Sequence, residues 1–227
     1  MPAKAGVLLD VDGTLLDSND AHAHAWIVAL AEEGLDAEFA MVRRLIGKGG
    51  DKLMGEVAGI DADSPLGQRI AARRRAIFTE HYLPACRAFP QAREFVARLK
   101  QSDLTVVVAT SARKDEVRDL LRVARVADLI DDETTSDDVE RSKPDPDVVQ
   151  ASISRSGLPR QSLVMVGDTP YDVEAAARAK IGSIALRSGG WSDADLRGAT
   201  AIYDDIAALL AQYDSSPLAA LRAVETR

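Results

Sequence analysis

Cysteine is almost missing from this chain. Cys86 is the only one, so no disulfide can close within a single copy, and a lone small thiol reads as a packed side chain. Long apolar runs are missing as well. Nowhere do eighteen apolar residues follow one another, as a membrane-spanning helix requires, and the start carries no secretory signal pattern. Those absences point to a soluble cytoplasmic protein. Aromatic residues are scarce, at 4% of 227, so the core must be built from aliphatic side chains and alanine. Positive charge is in deficit: the net charge of -8 argues against nucleic acid and anionic membrane as partners. A small anionic substrate would therefore need a local positive site. The three histidines, His22, His24 and His81, lack the spacing of a zinc site.

What is present has a clear grammar. The length suits one large domain, or a core with a small insertion. Gly6 to Leu9 is an apolar run short enough for a buried strand. Roughly residues 17 to 85 are helical throughout. Asn19 or Asp20 caps a helix with Ala23, Trp26, Ile27, Leu30 and Ala31 on one face and Gly34 as its stop, and an arginine-bearing stretch from Leu66 to Tyr82 closes the block. From Pro90 onward strands alternate with helices of about a dozen residues. The expected strands are Thr105 to Ala109, Ala127 to Ile130, Leu163 to Gly167, Ser183 to Leu186 and Ala201 to Tyr203. Such alternation predicts an α/β fold with a parallel sheet covered on both faces. Leu218, Leu221 and Val224 suggest one more short helix at the end.

Chemistry gathers where those strands give out, which is where open parallel sheets bind ligands. Asp10-Val-Asp-Gly-Thr14 follows the first strand and sets two carboxylates two positions apart. Apposed carboxylates are costly without a cation or a shared proton, and Mg²⁺ prefers oxygen ligands of this kind. Thr110, Ser111 and Ala112 follow the valine run, and hydroxyls with free backbone N–H groups there make an anion site or, more plainly, a helix cap. Lys143 stands in Arg-Ser-Lys-Pro-Asp-Pro, before a helix expected to be capped by Asp145 with Pro146 at its first position. Asp168 sits at the tip of a buried strand. Thr169 and Pro170 then open a helix that places Asp172 in its first turn, where a carboxylate already favours the helix dipole.

Four of these pieces, in order, resemble the motifs of the haloacid dehalogenase-like (HAD) superfamily: Asp10-Val-Asp-Gly-Thr-Leu-Leu-Asp17, Val106-Val-Val-Ala-Thr-Ser111, Lys143-Pro144 and Val166-Gly-Asp-Thr-Pro-Tyr-Asp172. The resemblance implies a Rossmann-like α/β core, residues 1–16 and 86–227, with an inserted α-helical cap at 17–85. It assigns Asp10 as the nucleophile that takes the phosphoryl group, Asp12 as general acid/base, Thr110 as phosphate-binding hydroxyl and Lys143 as charge stabiliser. Mg²⁺ would be held by Asp10, the backbone carbonyl of Asp12 and Asp168, with Asp172 in support. Dehalogenases of the superfamily lack the second aspartate, so Asp12 favours phosphoryl transfer.

The cap stretch Leu45-Ile-Gly-Lys-Gly-Gly-Asp-Lys52 resembles a substrate-specificity loop, which makes Lys48 and Lys52, beside Ser111 and Ala112, the expected substrate contacts. The β-phosphoglucomutase branch resembles the chain around His22 and Trp26, but it carries an arginine where Gly50 stands. The reading is a Mg²⁺-dependent phosphatase of a small phosphorylated metabolite, of the phosphoglycolate phosphatase-like sort, working as a monomer or homodimer. The alternatives are a phosphosugar mutase or a non-catalytic member of the fold; the latter should have lost at least one motif residue.

Overall fold

The structure is a computed structural model and describes residues 5–221. Six strands form one parallel sheet: β1 (Gly6–Leu9), β4 (Thr105–Ala109), β5 (Asp132–Thr134), β6 (Leu163–Gly167), β7 (Gly182–Leu186) and β8 (Ala201–Tyr203), in the spatial order β5-β4-β1-β6-β7-β8. The central strands are apolar on both faces, as burial between two helical layers demands. Leu8, Val107 and Met165 face α7 (Asp147–Ser156) and α8 (Pro170–Arg178), whereas Val7, Leu9, Val106, Val108 and Val166 join the opposite core. That second face lies against α5 (Ala92–Gln101), α6 (Lys114–Val123) and α9 (Ile206–Ala211), and its core continues into the helical block through Trp26, Leu30, Met54 and Phe78.

The helical block comprises α1 (Asn19–Ala31), α2 (Phe39–Leu45), α3 (Gly50–Ala58) and α4 (Pro65–Ile77), extended by a π-helical turn at Phe78–Tyr82. Its entry and exit run side by side. Strand β2 (Leu16–Asp17) pairs antiparallel with β3 (Arg87–Ala88), so the block hangs from the sheet on a two-stranded ribbon. Cys86 is buried beside it, and burial, with Asp12 and Asp17 nearby, pushes its thiol up to about 11, so it packs rather than reacts.

Two expectations change. The apolar stretch Ala127 to Ile130 is not a strand; Ala127–Leu129 is a 3₁₀ turn and the strand follows at Asp132–Thr134. As β5 lies at the sheet edge, it needs no apolar pattern on both faces, which hid it from a hydrophobicity reading. Helix α7 starts at Asp147 with Pro146 before it, so Asp145 is no cap; it accepts instead from Lys52 and Arg178. Residues Pro217–Ala220 form α10, with Leu218 buried, while Val224 lies outside the described residues.

Candidate active site

Three neighbouring strands bring the site together at their carboxyl ends. Leu9 pairs with Val108 on one side and Val166 on the other, so Asp10 is one residue past that level and Thr110 and Asp168 are two. Asp10, Asp168 and Asp172 offer carboxylate oxygens within 4.8 Å of one another, all buried. Lys143, itself only 1% exposed, donates to Asp10 Oδ1 at 2.7 Å and to Asp172 Oδ1 at 2.6 Å. Asp172 is also engaged on its other oxygen, which accepts from the Thr169 hydroxyl at 2.7 Å in a capping box. Asp168 accepts from Asn19 Nδ2 at 2.9 Å and Thr14 Oγ1 at 3.1 Å.

Charge is not balanced there. Three carboxylates face one ammonium. Burial, with Asp172 and Asp168 close by, holds the Asp10 carboxyl well above the usual range although Lys143 opposes the shift. Burial and Asp172 push Asp168 up to about 7 against the hydrogen bonds of Asn19 and Thr14. For Lys143, burial works against the charge, but Asp10 and Asp172 outweigh it and the ammonium is held charged. A surplus of buried negative charge with oxygen donors alone fits a hard divalent cation.

Asp12 points elsewhere. Burial acts to raise its carboxyl, but His22 at 2.9 Å, the Ser18 hydroxyl and Arg74 together keep it below the usual range. Its carboxylate is not part of the three-acid cluster, leaving its backbone carbonyl for any ligand role. Gly13 makes this divergence possible. Its φ is +76°, and a Cβ there would lie 2.0 Å from Asp168 Oδ2 and 2.2 Å from Asn19 Nδ2, so no other residue fits.

Thr110 is buried, and its hydroxyl accepts from the Ala112 N–H at 3.1 Å. Ser111 donates to the Gly47 carbonyl of the helical block at 3.2 Å. Other contacts hold that block down over the sheet. Gly49 N–H donates to Ser142 Oγ at 3.1 Å, Ser142 donates onward to Asp51, and Tyr171 donates to the Arg44 carbonyl at 2.6 Å. The helical block thus lies directly over the strand ends. Ser142 precedes Lys143, so the same loop holds both the roof and the buried ammonium.

Of the expected cap contacts, Lys48 lines the small inner cavity of about 40 Å³ next to Asp10, Asp12 and Thr110, but it is ion-paired to Glu56 at 2.6 Å. Lys52 lines neither this cavity nor its larger neighbour; it pairs with Asp145. Arg74 is a cap cation that sequence reasoning passed over. It lines both cavities, stacks near Trp26 and Phe78, and pairs with buried Glu116 of α6. Ser18, Asn19 and Thr14 were also hidden. Asn19 reads as a helix cap, yet its side chain reaches Asp168; Ser18 takes the N-cap position, yet its hydroxyl serves Asp12.

Known proteins resemble this chain in sequence and in fold. The family model for haloacid dehalogenase-like hydrolases matches residues 7–186. A phosphoglycolate phosphatase of Rhodospirillum rubrum is 30% identical over 89% of this chain and 88% of its own. One from Yersinia pseudotuberculosis is 32% identical over 81% of each. Among solved structures, a hydrolase from Pseudomonas syringae superposes with a TM-score of 0.86 at 28% identity, covering 93% of this chain and 99% of that one. With the family match spanning the sheet from β1 to β7 and every strand end that bears a site residue, the chain belongs to the haloacid dehalogenase-like hydrolases.

Proposed function

We propose that this protein is a Mg²⁺-dependent phosphatase of a small phosphorylated metabolite, working through an aspartyl-phosphate on Asp10. The observation that carries the reading is the buried set of Asp10, Asp168 and Asp172 around Lys143, at the strand ends beneath a helical roof. The relatives named phosphoglycolate phosphatases support the reaction class. Asp10, Asp168 and the Asp12 carbonyl would hold the metal, with Asp172 in support, and the cation would offset the repulsion between phosphate and carboxylate.

The remaining chemistry belongs to the chain. Lys143 favours the Asp10 anion against burial and holds it in place at 2.7 Å, so that the ionised carboxylate attacks phosphorus as the bond to the ester oxygen breaks. Asp12 gives that departing oxygen a proton. Water then attacks the acyl phosphate, its proton returns to Asp12, and the phosphorus–oxygen bond to Asp10 breaks to free inorganic phosphate. The contacts of Asp12 with His22 and Ser18 favour the ionised form, which accepts the proton from water, and the proton so taken is the one Asp12 gives the departing oxygen in the next turnover. Thr110, Ser111 and Ala112 receive the phosphoryl oxygens, and Lys143 offsets their charge. The block at 17–85 acts as a cap whose closure excludes water and whose opening admits substrate.

A mutase must grip a second phosphate from the cap, and Gly50 opposes that role. A Cβ there would lie 2.9 Å from the Trp26 ring, so an arginine would not fit without displacing it. Lys48 is already paired. Incubation with a hexose 1-phosphate and catalytic hexose bisphosphate, followed by phosphorus NMR, tests the choice. Free phosphate is expected; efficient conversion to hexose 6-phosphate would overturn it.

A further inference from the structure

Beside the inner cavity lies an outer one of about 500 Å³. The two share Trp26, Gly50, Arg74 and Ser111 in their walls, so the ester oxygen of a phosphate held at Asp10 opens onto this chamber. Its size is that of a small-molecule site, larger than a two-carbon leaving group fills. Its charge is the informative feature. Three arginines line it, and each is already matched: Arg74 with Glu116, Arg75 with Asp115 at 3.0 Å and Arg113 with Asp137 at 3.0 Å. Asp51, Asp63 and Glu140 line the same chamber, and no cation lies within 4 Å of any of them among the described residues. Asp51 and Asp63 come from the helical block and Glu140 from the sheet domain, and all three are exposed, so a group in the chamber meets carboxylates at its rim from both sides. The Arg74 Nε–H is buried without an acceptor, a donor still to be met by an oxygen.

Resting on the phosphatase reading, we propose that the preferred ester has a leaving group with hydrogen-bond donors and no negative charge of its own, seated in this chamber. Hydroxyls and an ammonium share the relevant chemistry, since both donate to carboxylates. A carboxylate or a second phosphate on the leaving group would face three acids without a cation partner and gain no free cation. By this argument phosphoglycolate, short and anionic, is a poor fit for this chain.

Three six-carbon esters test the point, because they share a phosphate on the same carbon and differ in charge: glucosamine 6-phosphate, glucose 6-phosphate and 6-phosphogluconate. The first two are expected to exceed the third in kcat/KM by about tenfold or more, a gap equal to ~1.4 kcal/mol, with phosphoglycolate also below them. A lead of the amine over glucose assigns the preference to the ammonium; equality assigns it to hydroxyls. Combining Asp63→Asn with Glu140→Gln, both at exposed positions, should shrink the penalty on 6-phosphogluconate severalfold. Equal or faster turnover of 6-phosphogluconate or phosphoglycolate in the parent protein would overturn the inference. Turnover of p-nitrophenyl phosphate that Asp10→Asn removes would leave the phosphatase reading standing in that case. Folded protein that hydrolyses none of these esters would overturn both.

Discussion

The floor of the site and its roof handle charge differently. At the floor, Asp10, Asp168, Asp172 and Lys143 are each no more than 5% exposed; Lys143 pairs with Asp10 and Asp172, and Asp168 accepts from Asn19 and Thr14. In the roof, apart from Arg74 with its buried Glu116, cations of residues 17–85 reach carboxylates near the surface, as in Lys48 with Glu56 and Arg73 with Glu32. Removing one partner of a buried pair strands a charge and costs roughly 3–5 kcal/mol, whereas exposed pairs contribute about 0–1 kcal/mol. The floor is therefore intolerant of change. The roof can exchange its rim residues with little loss of stability, which suits a shared reaction with variable substrates.

Substitutions should separate the two regions, and the largest effect belongs to the floor. Asp10→Asn should remove turnover, because an amide is a poor nucleophile; steady-state assay with an aryl phosphate reads this directly. Asp12→Asn should slow turnover by about 10²–10⁴-fold through loss of proton transfer, with Mg²⁺ affinity largely kept. An unchanged rate in either variant contradicts the assignment. Gly13→Ala should come next. Its Cβ would collide with Asp168 and Asn19, so a sharply raised Mg²⁺ requirement is expected in protein that still folds by circular dichroism. Asp168→Ala should share that signature.

Metal-free protein offers a pH test of the same floor. The Asp168 carboxyl titrates at about 7 in the folded chain, above its unfolded value near ~3.9. Between those values the folded chain keeps a proton that the unfolded chain has released, so stability falls as pH rises through the window. Asp10, also raised, acts in the same sense. Asp12, being lowered, loses its contribution only at more acidic pH. The melting temperature without metal should drop by roughly 5 °C or more between pH 5 and pH 8, and Mg²⁺ should restore it. A melting temperature that climbs over that range would contradict the burial argument.

Smaller effects are expected at the roof. Ser142→Ala removes the acceptor of Gly49 N–H and the donor to Asp51, so kcat/KM for the natural ester should fall by about tenfold or less, mostly in KM. Lys52→Ala, away from both cavities, should change it less than about twofold.

Legibility in the sequence follows the same division. Strand ends at Asp10, Thr110 and Asp168 stood out because apolar runs stop abruptly at polar residues. The sheet followed from alternation of strands and helices, except at β5, where an edge position tolerates Asp132 and Glu133. Partners of the acids were hidden by distance along the chain. Asn19 lies 149 positions from Asp168 and Thr14 lies 154, and in isolation each reads as a local cap or turn. The roof was read from glycines and lysines in one loop. Arg74 was lost among the neighbouring arginines of α4, since only packing distinguishes the one that turns inward to Glu116 from Arg73, which turns out to Glu32.

The most direct measurement is to catch the phosphoryl group on the protein. A rapid acid quench during turnover of an aryl phosphate with Mg²⁺, followed by peptide mass spectrometry, should find one added phosphoryl group on the peptide bearing Asp10 and none in Asp10→Asn. Steady turnover with no adduct there, or with the adduct on another side chain, would contradict the account.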